Sequence, residues 1–293
     1  MSRLAMALAA ARPVVTCELN PPKGIDCGAL LARAEALQPV VHAFNLTESH
    51  AARMSMSPLG AARLMVERGL EPTLQMTTRD RNRLALQGDL LAAAALGVEN
   101  VVVMGGDPPS AGDHPDAKPV FDLYASGVLA AAAALQEGHD LAGNPLVGPS
   151  PRFCIGAVVN PGADDLEGEV RRMAEKRAAG ATFFQTQAVY DAEAFARFMA
   201  LARDVDAPVL AGILPPASAA MARHMNANVP GIHVPPAIID ALERAGDDRR
   251  EIAIEIAARL AREVVPLCRG VHLMTVGRED TVPEILRRAG VTT

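Results

Sequence analysis

The chain has 293 residues, half of them apolar, a net charge of −6 and a pI near 5.7. No basic stripe interrupts the acidic balance, so nucleic acid and other polyanions are poor partners, and no apolar run approaches the ~20 residues of a membrane span. Four cysteines (Cys17, Cys27, Cys154, Cys268) lie far apart with no CxxC pair, which fits free thiols in a reducing cytoplasm rather than disulfides or a zinc site.

Met1–Ala11 holds one arginine in an Ala-rich stretch. Its apolar run is short and leads straight into the first strand, so a signal peptide is not expected. From there, β-prone apolar runs alternate with helical patterns. Pro13–Cys17 stops at Glu18, and the helix Leu30–Leu37 follows. Val40–Leu46 stops at Thr47, with Leu64–Gly69 after it. Glu71–Thr78 carries Gln75 and Thr77 near its end and precedes Asn82–Leu96. Val101–Gly106 stops at Asp107, before Phe121–Leu135. Arg152–Val159 stops at Asn160, before Asp165–Ala179. Ala181–Tyr190 carries Gln185 and Gln187, before Ala192–Arg203. Ala207–Leu214 stops at Pro215, and the helices Ala237–Ala245 and Arg249–Val265 come after it. Val271–Val276 runs through Thr275 to Arg278, and the helix Val282–Ala289 ends at Gly290. Glycines just past helix ends, as at Gly97, Gly180 and Gly290, take the left-handed angles of a helix stop.

Eight strand–helix units predict an α/β fold, a (β/α)8 TIM barrel forming one domain over residues 1–293, with chemistry at the C-terminal strand ends. Two connections are long and rich in Pro, Gly and Asp. Asp107–Lys118 follows a strand end and should overhang the barrel mouth, whereas Glu137–Pro151 belongs at the opposite end. A third, Asn226–Pro236, interrupts the seventh helical unit.

Common signatures are missing: no GxGxxG, no P-loop and no HExxH. No tight His/Cys/Asp cluster supports metal catalysis. Of the seven histidines, only His114 and His233 lie in loops expected to reach a ligand, and a solvated or capping role suits each better. Glu18 ends an apolar strand ahead of Pro21–Pro22. Partial desolvation there would raise its pKa and suit a general acid; the alternative is pairing with a cation from a neighbouring strand. Gly105 and Gly106 would let a flat ligand approach the backbone, with Asp107 at its polar edge, although Gly–Asp–Pro also makes a tight turn. Gln185 and Gln187 share one face, and amides inside a barrel need partners, so they are expected to hydrogen-bond a heterocycle. Met76, Met104 and Met274 read as core.

Glu18 with Pro21–Pro22, Thr47, Gly106–Asp107, Tyr124–Ala125–Ser126, Lys176, Thr186–Gln187, Gly212–Pro215 and Arg278, in this order, resemble the methylenetetrahydrofolate reductase family along essentially the whole chain. The resemblance implies a barrel containing FAD that reduces 5,10-methylenetetrahydrofolate to 5-methyltetrahydrofolate with NADH or NADPH, in the pathway to methionine. By it, Glu18 would protonate N10 of the folate, and Asp107 would set the charge near flavin and pterin. Gln187 and Arg278 would bind substrate, with Gln185 beside them. Thr47, Gln75, Gly106, Asp107, Tyr124, Ala125, Ser126, Asn160 and Lys176 would hold FAD. The chain departs where the family commonly has Tyr-Pro-Glu-x-His, which is Val158–Asp164 here. A family His is Gln75, and a substrate-binding Gln and Phe are Met221 and Met225. Hydride transfer directly from NAD(P)H, and a non-catalytic folate- or flavin-binding subunit, are the competing readings. A homo-oligomer is compatible with all three.

Overall fold

A computed structural model describes residues 1–292. Eight parallel strands close on themselves in sequence order: β1 Val14–Leu19, β2 Ala43–Leu46, β3 Pro72–Thr77, β4 Asn100–Met104, β5 Cys154–Val159, β6 Phe183–Ala188, β7 Val209–Ile213 and β8 Gly270–Leu273. The seam is β1 against β8, with Thr16 opposite His272 and Cys17 opposite Leu273. The fold is the expected (β/α)8 barrel. Around it run the helices α1 Arg3–Ala9, α2 Gly28–Leu37, α3 Pro58–Glu67, α4 Arg83–Ala95, α5 Ala125–Glu137 and α6 Leu166–Ala178. They continue with α7 Ala192–Ala202, α8 Ala219–Asn228, α9 Pro236–Arg244, α10 Arg249–Val264 and α11 Val282–Ala289. No helix among the described residues is long and apolar enough to cross a membrane.

Alternation along the strands sorts their side chains into two cores. Val15, Cys17, Leu19, Phe44, Leu46, Leu74 and Met76 face outward and pack beneath the helices. Val14, Ala43, Val102, Cys154, Phe183 and Leu210 fill the N-terminal end of the interior together with Leu4 of α1. The Phe183 ring fits because β5 carries Gly156 opposite it: a Cβ there would stand 2.5 Å from the ring. Met76 is buried, whereas Met104 and Met274 are half-buried against the two cores.

Two expectations need correction. The segment before the first strand is a helix, α1, capped by Ser2 Oγ on the Ala5 N–H at 3.1 Å, and it plugs the bottom of the barrel. Its short apolar pattern disguised it. Helix α3 begins at Pro58 rather than near Leu64, because proline is well tolerated in a first helical turn, where its missing N–H has no partner to lose.

Candidate functional site

Above the apolar bottom layer the barrel interior turns polar. Asn45 and Gln185 exchange a reciprocal pair of amide hydrogen bonds, Asn45 Nδ2 to Gln185 Oε1 at 2.7 Å and Gln185 Nε2 to Asn45 Oδ1 at 3.2 Å. Gln185 Nε2 also reaches Thr16 Oγ1 at 3.2 Å and His272 Nδ1 at 3.4 Å, and Thr16 Oγ1 lies 2.9 Å from His272 Nδ1. All four side chains are buried. Gln185 therefore does not wait for a heterocycle. Its donors and acceptor are satisfied within the barrel, as burial demands.

One layer higher, at the C-terminal end of β1, stands Glu18, with only 11% of its side chain exposed. Gln75 Nε2 donates to its Oε2 at 3.1 Å, and His272 Nε2 lies 3.9 Å from the same oxygen. Burial alone would raise the Glu18 pKa. The adjacent His272 imidazole, the charge of His50 and the Gln75 amide outweigh it, and the carboxyl is held below its ordinary value. The expected upward shift is thus reversed, because the sequence could not place His272 against Glu18. Gln75, assigned above to the cofactor, is a partner of the acid in this structure.

The other expected residues are dispersed. Asp107 is exposed. Its backbone carbonyl accepts from Arg79 at 3.3 Å. Gly106 has φ +87°, and a Cβ there would stand 2.9 Å from the Thr77 Cβ, so the turn itself requires glycine. Thr47 is buried and donates to Asn20 Oδ1 at 2.8 Å. Gln187 Oε1 accepts the Ala188 N–H at 2.9 Å. Arg278 is half-buried and makes no side-chain ion pair among the described residues. Asn160 bridges the β5 exit to the 226–236 connection through Pro230 O at 3.2 Å and accepts the Gly162 N–H at 3.1 Å. Lys176 Nζ donates to Val158 O at 2.7 Å, and burial lowers its pKa.

The Asp107–Lys118 connection folds over the mouth. Lys23 Nζ pairs with Asp113 Oδ2 at 2.6 Å, and Asp113 Oδ1 accepts the Met54 N–H at 2.9 Å. Between this connection and the exits of β1 and β2 lies a cleft of about 580 Å³, lined by Asn20, Thr47, His50, Arg53 and Asp113 among others. Ser49, Ala51 and Ala52 along its edge all have positive φ, a costly conformation for residues with a Cβ. His50 and His272 both bear on Glu18, yet neither was singled out from sequence; only the alternation of β8, which turns His272 inward, could have signalled one of them. Glu48 was also missed. It accepts from Thr77 N at 2.5 Å, Thr77 Oγ1 at 2.8 Å and Arg81 at 2.5 Å, and it fastens β2 to β3. Burial raises its pKa despite Arg81. No group of three or more His, Cys, Asp or Glu residues that could hold a metal occurs among the described residues.

Whether these residues fit FAD depends on where they stand. Along the rim from β4 to α5 they are open: no heavy atom lies within 4 Å of a Cβ built on Gly105, and Tyr124 is 87% exposed. Helix α5, which starts at Ala125 and Ser126, has no side-chain cap, so its first-turn N–H groups suit a phosphate. That donor set fits a flat, phosphorylated cofactor. Thr47, Gln75, Asn160 and Lys176 are instead engaged with protein atoms.

A barrel with a largely enclosed carboxyl at the C-terminal end of β1 and an open, glycine-edged rim has the layout of a (β/α)8 enzyme site. The family model described as methylenetetrahydrofolate reductase matches residues 3–290, and the chain belongs to that family. It is 24% identical over 245 residues to methylenetetrahydrofolate reductase 2 of Schizosaccharomyces pombe, covering 75% of this chain and 36% of that protein. It is 25% identical over 241 residues to the probable methylenetetrahydrofolate reductase (NADPH) of Caenorhabditis elegans, covering 79% and 34%. The chain thus spans about a third of the length of these curated relatives. Among solved structures, an uncharacterised protein of Clostridium thermocellum described as binding two copies of 5-methyl-5,6,7,8-tetrahydrofolic acid superposes with a TM-score of 0.64 at 14% identity. That match covers 98% of this chain and 97% of the other, and it supports the fold.

Proposed function

We propose that the chain reduces 5,10-methylenetetrahydrofolate to 5-methyltetrahydrofolate with electrons from NADH or NADPH, and that FAD binds along the rim from Gly105–Asp107 to Tyr124–Ser126. The observation that carries this reading is Glu18: a carboxyl with 11% of its side chain exposed, set above a layer of amide, hydroxyl and imidazole groups at the mouth of a chain matched to the family over residues 3–290. When bound, FAD supplies the hydride that the folate carbon accepts.

The protein's own part is acid chemistry and placement. Opening the five-membered ring breaks the bond between the methylene carbon and N10, and the departing nitrogen needs a proton. Glu18 is ionised at neutral pH, since its pKa is held low, and must take up a proton before delivering it to N10. The cation left on the carbon side is the electrostatic target of Asp107, whose exposed carboxylate stands at the same rim; such groups act by favouring the charge that develops. The Gln187 amide nitrogen and Arg278 would hold the pterin and the acidic tail.

A second reading, in which NAD(P)H passes hydride straight to the folate, is favoured by one observation. Thr47, Gln75, Asn160 and Lys176 are all engaged within the fold. The test is NAD(P)H consumption by the purified chain with methylenetetrahydrofolate, with and without added FAD, and identification of product by mass spectrometry. Product only when flavin is bound supports the first reading. Product from colourless protein without flavin supports the second, and no product in either arm overturns both.

A further inference from the structure

Both polar contacts to Glu18 fall on one oxygen. Gln75 Nε2 and His272 Nε2 approach Oε2, at 3.1 and 3.9 Å, while Oε1 has no partner among the described residues. The string beneath offers His272 Nδ1 the Thr16 hydroxyl at 2.9 Å and the Gln185 amide at 3.4 Å. Gln185 Oε1 is taken by Asn45 Nδ2, so the Gln185 nitrogen faces Thr16 Oγ1, Asn45 Oδ1 and His272 Nδ1 as a donor. If a Gln185 N–H goes to Thr16 Oγ1, the hydroxyl hydrogen has His272 Nδ1 at 2.9 Å as its acceptor. Every donor is satisfied when Nδ1 is unprotonated. With Nδ1 as the acceptor of that string, the ring hydrogen sits on Nε2, aimed at Glu18, because the bond made by one ring nitrogen sets the state of the other.

We propose that His272 is a positioning residue for the Glu18 acid: its Nε2, kept 3.9 Å from Oε2 by the Thr16–Gln185–Asn45 string, faces that oxygen beside the Gln75 amide and leaves Oε1 as the oxygen that carries the proton. This rests on the function proposed above. In the step itself the Oε1–H proton passes to N10, and the electron pair of the breaking bond between N10 and the methylene carbon stays on nitrogen. The carboxylate left behind keeps its Oε2 contacts. Each element around Glu18 contributes to that setting. His272 comes from β8, Gln75 from β3, Asn45 from the paired position on β2, and His50 from the β2 exit. Cys17, its neighbour in the chain, faces the outer core.

The experiment follows the Glu18 carboxyl stretch in the infrared as pH is varied, in ligand-free protein, with Glu18→Gln identifying the band. His272→Leu removes the donor and should move the titration midpoint upward by at least about one pH unit. His272→Gln, which returns an amide N–H, should restore most of the shift, and a purely structural role would not predict that rescue. The Thr16→Val/Gln185→Leu double variant leaves Nδ1 without a donor, free to take the hydrogen, and should also move the midpoint up; it serves if His272→Leu does not fold. An unchanged midpoint in either folded variant overturns the proposal. Because the titration uses no folate, a shifted midpoint in a chain that reduces no folate would sink the function and leave the positioning role standing.

Discussion

Replacing Glu18 by glutamine keeps its shape and a hydrogen-bond acceptor for Gln75 but removes the proton. Folate reduction should fall by about 10²–10⁴-fold with the fold intact, as checked by single-turnover rates beside circular dichroism. The Glu18 pKa is depressed in the folded chain, so two signs follow. Ionised Glu18 contributes stability above its unfolded pKa, and that contribution is lost as pH falls through the folded value. The acid form is a minority at neutral pH, so the folate step should quicken as pH is lowered toward the folded pKa; a rate that instead rises with pH would contradict an acid role. Asp107→Asn removes an exposed charge, so thermal stability should change by less than ~0.5 kcal/mol. The folate half-reaction should slow while flavin content holds. Loss of flavin with an unchanged rate would mark Asp107 as a turn residue. Glu18 was legible in the sequence because an acid ended an apolar strand. Its environment was not, because Gln75 and His272 lie 57 and 254 residues away along the chain and only barrel closure brings them together.

At the scale of elements, the connection after β4 is held down at a few points. Gly112 packs against the segment after β2 so closely that a Cβ would stand 1.8 Å from Ala52 O. Gly112→Ala should therefore undock the connection, and the Lys23–Asp113 pair with it, while costing under ~1 kcal/mol of global stability because local surface openings need not unfold the barrel. Limited proteolysis should cut residues 107–118 faster in the variant, while the denaturation midpoint barely moves. Equal cleavage rates would show that the lid is not held there. The sequence predicted an overhanging connection at this place from its length and its Pro and Gly content, and the position of most strands and helices was equally readable from apolar periodicity. How far the connection folds back was not readable, since the contact is made by backbone atoms that carry no residue signature.

At the scale of the whole molecule, the barrel is closed from below by α1. Leu4 is fully buried against the interior bottom layer, and Arg269 at the start of β8 binds the carbonyls of Ala7 and Leu8, each at 2.9 Å. Leu4→Ala should cost about 2–5 kcal/mol, read by chemical denaturation, although it lies at the far end of the barrel from Glu18. A cost below 1 kcal/mol would mean that the helix merely rests on the barrel. This plug escaped the sequence reading because one buried leucine in an alanine run gives no helical stripe. The polar layer of Thr16, Asn45, Gln185 and His272 has a different consequence, in temperature. On unfolding, exposed apolar area raises heat capacity by ~0.45 cal/K/mol/Å² and polar area lowers it by ~0.26. A barrel whose middle layer is amide and imidazole should therefore have a flatter stability curve than one filled with hydrocarbon. Calorimetry of Asn45→Leu/Gln185→Leu should find a larger heat-capacity change on unfolding and a curve that falls more steeply on both sides of its maximum.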